Sequence, residues 1–393
     1  MPWLERIHAV VYNQRREFPK EPEVKEGEPR GHPPRWSWGA FERGKLLSCM
    51  TEIDFLMRFD GGAAKMSGVG GVGTLPEARK GGLVRRMFER MLPEAYEGGA
   101  VFSSLIPFSH DYYRMFGYET CCALCNVGIP ARDFFAHKTG GEFEQVFPGG
   151  DTSALQEIHS AYIAGLNHGI CRDYWPEGRS WKWFAGSDPY STGVFLYIWR
   201  DDGGTPRSYI KYKGREDGDG GHEMSVVELA FRDREGLLGA LGIVGGLSAQ
   251  YRSLKWAMPT FIDPLDLSGN SWGITQSVEP KYMTRVVNVR AALEAMRRPE
   301  GEGEYVVEVE DGNLAANCGR FLVEFAPGGS RVSATRRDPD LRCDIRAFSQ
   351  LATGYRSLGN ALLSRRSGLE LLGNGEALAR AFTLRPQHVT ESF

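Results

Sequence analysis

Residues 69–92 constrain this chain more than any other stretch. Val69-Gly70-Gly71-Val72-Gly73-Thr74-Leu75 reads as a short glycine-rich strand, and Pro76-Glu77-Ala78-Arg79-Lys80-Gly81-Gly82 as a turn. From Leu83 onward the apolar residues Leu83, Val84, Met87, Phe88, Met91 and Leu92 recur at helical spacing. Arg85, Arg86 and Arg90 stand between them, which makes a helix with one buried face. Apolar, strand-forming runs surround this unit at residues 46–59, 100–108 and 120–129. Strand, helix and strand in alternation predict an α/β domain over residues 35–130.

The chemistry of the turn depends on where its glycines fall. Gly68-Val69-Gly70-Gly71-Val72-Gly73 matches the letters of the dinucleotide fingerprint G-x-G-x-x-G. That fingerprint needs a helix starting at its glycines. Here Thr74-Leu75-Pro76 keeps the chain extended, so a nicotinamide-binding oxidoreductase is rejected. The downstream pair Gly81-Gly82 stands at a helix start, where the backbone can approach a ligand and several N–H groups lack helical partners. The helix dipole, with Arg79, Lys80 and Arg85, adds positive potential. A pyrophosphate suits such a turn. On the residues alone, a solvated basic turn with no ligand stays open beside it.

The remaining chain is too long for one domain. At roughly 150 residues per domain, 393 residues suggest two or three. A second unit starts near residue 148, with a helix at 153–164, strands at 193–200, 208–213 and 224–231, a helix at 235–250 and a strand at 254–259. This repeats the order of the first unit and suggests an internal duplication. From residue 283, runs at 285–289, 305–310 and 320–326 alternate like strands, and 345–372 reads as helical in pieces. The expected boundaries are therefore 1–130, 131–282 and 283–393, in an α/β plus α+β chain. A first helix is expected within residues 1–17, and the proline-punctuated stretch to residue 34 as an exposed loop.

Several classes fall away on composition. Forty-seven basic against 50 acidic residues argue against nucleic acid as a partner. The apolar run at 237–248 is too short for a bilayer, so no membrane insertion is expected. Residues 1–16 carry charge without a long apolar core, so no leader is expected. Seven scattered cysteines favour reduced thiols in the cytoplasm. Cys122 and Cys125 have CxxC spacing without a second pair, and His159 and His168 lack metal-site spacing, so no metal is expected.

Val72-Gly73-Thr74-Leu75-Pro76 followed by Arg79-Lys80-Gly81-Gly82-Leu83 resembles the acetyl-CoA-binding strand, turn and helix of the GNAT N-acetyltransferases, with its R-x-x-G. Val84 replaces the usual small residue, a departure shared with the Eis-like (enhanced intracellular survival) subgroup. Tyr112-Tyr113-Arg114-Met115-Phe116-Gly117-Tyr118 resembles that subgroup's Tyr-x-x-Phe-Gly-Tyr segment. Residues 285–295 resemble its entry into a domain similar to sterol carrier proteins, and a terminal Phe is shared as well.

The resemblance implies tandem GNAT-like domains, the second without a cofactor motif, then a sterol-carrier-like domain. It implies acetyl-CoA as co-substrate, held by Val72, Gly73, Thr74, Arg79, Lys80, Gly81, Gly82, Leu83, Val84 and Arg85. Tyr113 takes the place of the general acid, and the C-terminal carboxylate of Phe393 that of the base. The acceptor would be an amine: an aminoglycoside, a polyamine or a lysine side chain. Homo-oligomers, hexamers among them, are also implied. The competing class is a non-catalytic acyl-CoA or lipid-binding protein that uses the C-terminal domain.

Overall fold

A computed structural model describes residues 2–12, 35–134, 140–174, 179–216, 222–297, 301–366, 368–389 and 391. The chain opens with helix α1 (Pro2–Tyr12) and the strands β1 (Arg35–Glu42), β2 (Lys45–Phe59) and β3 (Gly62–Thr74). These three strands form an antiparallel meander. The β2–β3 hairpin turns at Asp60-Gly61, both at positive φ, the two-residue form whose twist suits a hairpin. Strand β3 therefore starts seven residues before the stretch its valines suggested. Helix α2 (Leu83–Glu97), strand β4 (Phe102–Leu105), helix α3 (His110–Arg114) and strand β5 (Glu119–Pro130) follow. Strand β4 is shorter than the expected 100–108 run, because Ser109 already caps α3.

The next segment contains β6 (Glu142–Gln145), α4 (Ser153–Ile163), α5 (Arg179–Ala185) and α6 (Pro189–Thr192). Then come β7 (Val194–Arg200), β8 (Pro206–Glu216), β9 (His222–Phe231), α7 (Arg234–Gly246) and β10 (Ser253–Pro259). Helix α7 stops four residues before the expected end, just after Gly245-Gly246.

The last segment begins with β11 (Thr275–Val286) and α8 (Val289–Ala295). The expected strand over 285–289 holds at 285–286, the end of β11, and is corrected beyond it: Asn288 accepts a hydrogen bond from the Ala291 N–H at 2.9 Å and starts α8. The strands β12 (Gly303–Glu310), β13 (Gly319–Ala326), β14 (Gly329–Ala334) and β15 (Leu341–Asp344) follow. They precede α9 (Ile345–Ala352), α10 (Leu358–Leu362), β16 (Leu369–Leu371) and α11 (Gly375–Ala381). The expected helical run over 345–372 is corrected at its end, where residues 369–371 pair antiparallel with β15. The sheet order is β14-β13-β12-β15-β16.

Two compact units result. One combines the described residues up to 121 with those of 282–385 and with 391; the other holds 122–281 and 386–389. Inside the first, β4 lies parallel to β3 and antiparallel to residues 283–286 of β11. Its core joins Met87, Phe88, Met91 and Leu92 of α2 to Met50, Val69, Phe116 and Met283. Inside the second, β10 lies parallel to β9 and antiparallel to residues 124–130 of β5. Each unit thus has three antiparallel strands, a helix, and a strand parallel to the third. The expected loop before residue 35 lies outside the described residues, as does the stretch from residue 13 of the first expected helix.

Candidate active site

Strands β3 and β4 pair only from Met66–Phe102 to Val69–Leu105, after which β3 runs on to Thr74 paired with β2 alone. Successive residues of a strand turn their backbone groups to opposite edges. The Gly73 carbonyl accepts from Ser48 Oγ at 2.9 Å and the Gly71 carbonyl from Cys49 Sγ at 3.6 Å, both on the β2 side. The Val72 and Thr74 carbonyls take partners from other segments, Val72 from Tyr12 Oη at 2.9 Å and Thr74 from Arg79 Nε at 3.5 Å. A cleft of about 760 Å³ lies beside them.

Val72, Gly73, Thr74, Arg79, Lys80, Gly81, Gly82, Leu83, Val84 and Arg85 all line this cleft. The turn is built for close approach. Lys80 and Gly82 both have left-handed backbone, at φ of 67° and 70°. A Cβ added to Gly82 would meet nothing within 4 Å, so a larger side chain there projects into open space. No described side chain caps α2, and no acidic residue stands in its first turn. Its N–H groups and dipole thus face the cleft together with the exposed Arg79, Lys80 and Arg85. An anionic group fits this end.

Phe108, Tyr112, Met115 and Phe116 supply an apolar wall. Tyr113 itself is only 2% exposed, so the cleft wall is Tyr112 and the acid expected from the sequence lies against it. The Tyr113 ring sits edge-on to Tyr112 and Phe108, with centroids 5.4 Å away in each case. Burial pushes its phenol far above the usual range, which keeps it protonated at neutral pH.

The segment carrying these rings is held from residues far along the chain. Fully buried Arg285 donates to the Phe116 carbonyl at 2.6 Å and pairs with Asp311. Asp311 also accepts from Asn317 Nδ2 at 2.9 Å. Gly117 turns at φ 81°, and a Cβ there would lie 2.9 Å from the Arg285 guanidinium. Phe393 lies outside the described residues. Two positions earlier, the Glu391 carbonyl accepts from Tyr282 Oη at 2.8 Å.

Sequence reasoning missed Val11 and Tyr12, which bring α1 to the cleft. Tyr12 Oη donates to the Val72 carbonyl at 2.9 Å. Sixty residues separate the pair, and no local pattern signals such a contact.

Residues 4–121 match the acetyltransferase (GNAT) domain family, and residues 289–390 the sterol carrier protein domain family. The chain is 27% identical over 347 residues to an uncharacterized N-acetyltransferase of Streptomyces griseus, which covers 81% of this chain and 78% of the relative. A conserved Enterococcus faecalis protein of unknown function has a similar structure, with a TM-score of 0.79 at 21% identity over 98% of this chain and 94% of that one. Eis1 from Mycobacterium abscessus gives 0.73 at 21% identity, covering 91% of each chain. The chain is an N-acetyltransferase with GNAT-like α/β domains and a sterol-carrier-like α+β domain. Its GNAT fold implies an acyl-CoA donor and an amine acceptor. Among the described residues, no helix is long and apolar enough to cross a membrane.

Proposed function

We propose that this chain is an Eis-like enzyme that transfers the acetyl group of acetyl-CoA to an amine such as an aminoglycoside, a polyamine or a lysine side chain. The observation that carries this reading is one cleft uniting an uncapped, basic helix start with the unpaired edge of β3. The N–H groups from Lys80 to Arg85 hold the pyrophosphate. Backbone groups of Val72 and Thr74 align the pantetheine arm by strand-like hydrogen bonds, which puts the thioester near the aromatic wall.

In this reading the amine nitrogen attacks the thioester carbonyl and the C–S bond breaks. Tyr113 gives its proton to the departing sulfur, and the amine proton goes to the carboxylate of Phe393. Amide and free thiol are the products. The three segments 1–130, 131–282 and 283–393 act as catalytic domain, GNAT-like domain without cofactor, and sterol-carrier-like domain, within a cytoplasmic homo-oligomer, hexamers being known in the family it resembles.

Thiol release from acetyl-CoA across a panel of amines tests the activity. No release with any amine would favour the carrier reading, in which the C-terminal domain binds a lipid. For the acid, Tyr113→Phe removes a hydroxyl and almost no volume. Turnover should fall by roughly 10²–10⁴ while acetyl-CoA affinity stays the same. If Tyr112→Phe does the damage instead, the acid is the residue on the cleft wall.

A further inference from the structure

Tyr12 holds a place that the proposed donor needs. The Val72 carbonyl lies on the stretch of β3 that β4 leaves unpaired, and Tyr12 Oη donates to it at 2.9 Å. That bond has the form of the one a pantetheine amide N–H would make with the same oxygen. Val72 is buried, so a partner for its carbonyl is worth keeping. Tyr12 is well placed to serve and to leave: its backbone belongs to α1, and its side chain is partly exposed, edge-on to His8 at 5.5 Å between centroids. Helix α1 is seated on the same strand through Ile7, which lies against Gly73.

We infer that Tyr12 competes with the donor: its hydroxyl occupies the β3 edge in the free enzyme and yields it to the pantetheine arm. This rests on the acyl-CoA reading and adds a competitor to it. The arm gains the Val72 carbonyl only by breaking the Tyr12 bond, so the phenol weakens donor binding and leaves the nucleotide end untouched. Removing the hydroxyl alone should recover what one neutral hydrogen bond is worth, about threefold to tenfold in affinity.

The test compares two probes by calorimetry: coenzyme A, and 3′-phospho-ADP, which carries the pyrophosphate without the arm. Tyr12→Phe should bind coenzyme A about threefold to tenfold tighter, bind 3′-phospho-ADP as the native enzyme does, and lower KM for acetyl-CoA with kcat unchanged. Coenzyme A affinity that is unchanged or weaker in Tyr12→Phe overturns the inference and leaves the acyl-CoA reading standing. Native enzyme that binds neither probe overturns both. A second measurement needs no substitution: the ring resonances of Tyr12 should shift on adding coenzyme A and stay put with 3′-phospho-ADP. Resonances unmoved by saturating coenzyme A would also overturn it.

Discussion

The start of α2 and the start of α7 follow the same local order, an antiparallel meander leading into a helix and then a parallel strand, yet they end in opposite states. Eight residues join β3 to α2, and the helix opens on Gly82 with no side-chain cap. Two residues join β9 to α7, and Asp233 caps it by accepting from the Gly236 N–H at 2.9 Å. Arg207 then donates to Asp233 and to Asp201, at 2.7 Å in both cases, with Glu235 3.5 Å away. The second helix start carries its own anion and that anion's counter-ion. What the difference teaches is why the first helix start fits an anion and the second does not: its link is long enough, and bare enough, to leave the first N–H groups unspent.

The largest expected effect is at the open turn. Gly82→Trp should cost at least about 100-fold in acyl-CoA affinity, about 2.8 kcal/mol, by filling the pyrophosphate space. The fold should tolerate it apart from about 1–2 kcal/mol for left-handed backbone, since an added Cβ meets nothing within 4 Å. Calorimetry that finds undiminished affinity would remove the pyrophosphate from this turn.

The matching change in the second unit should act on stability instead. A Cβ on Gly236 would lie 2.5 Å from the Arg207 carbonyl oxygen. Gly236→Ala should therefore destabilise the protein by about 1–3 kcal/mol in a denaturant titration and leave acyl-CoA affinity unchanged. A loss of affinity comparable to that of Gly82→Trp would mean that both helix starts serve the donor.

The smallest effect sharpens the comparison most. Asp233→Ala removes the cap at a cost of about 1 kcal/mol. One equivalent of acyl-CoA per chain should still bind, because the two-residue link keeps the turn closed. A second equivalent would show that the carboxylate alone closes the site.

Much of this was legible in residues 69–92. The glycines, the basic residues and the 3.6-residue apolar rhythm are local, and local signals survive in a sequence because neighbours along the chain meet whatever the fold. The ten residues that the family resemblance assigned to the donor line one cleft. The misreadings sit where context overrides composition: Asn288 ended the strand read over 285–289 after Val286 and started a helix at Val289, and the pairing of residues 369–371 with β15 made a strand of a stretch that looked helical.

By itself, then, the sequence determined the α/β order, the glycine turn at a helix start with its cations, and the Tyr-x-x-Phe-Gly-Tyr segment. Only the tertiary structure decided which edge of β3 stays unpaired, that Tyr112 rather than Tyr113 forms the cleft wall, and that Tyr12 takes the Val72 carbonyl. It also decided that Arg285 and Asp311 anchor the turn after α3. These depend on residues that are distant along the chain: the β3–β4 pairing joins Met66 to Phe102, Tyr12 reaches Val72 across 60 positions, and Arg285 reaches Phe116 across 169. Contacts at that separation exist only once loops have closed, and the pattern of any one segment carries no record of its distant partner.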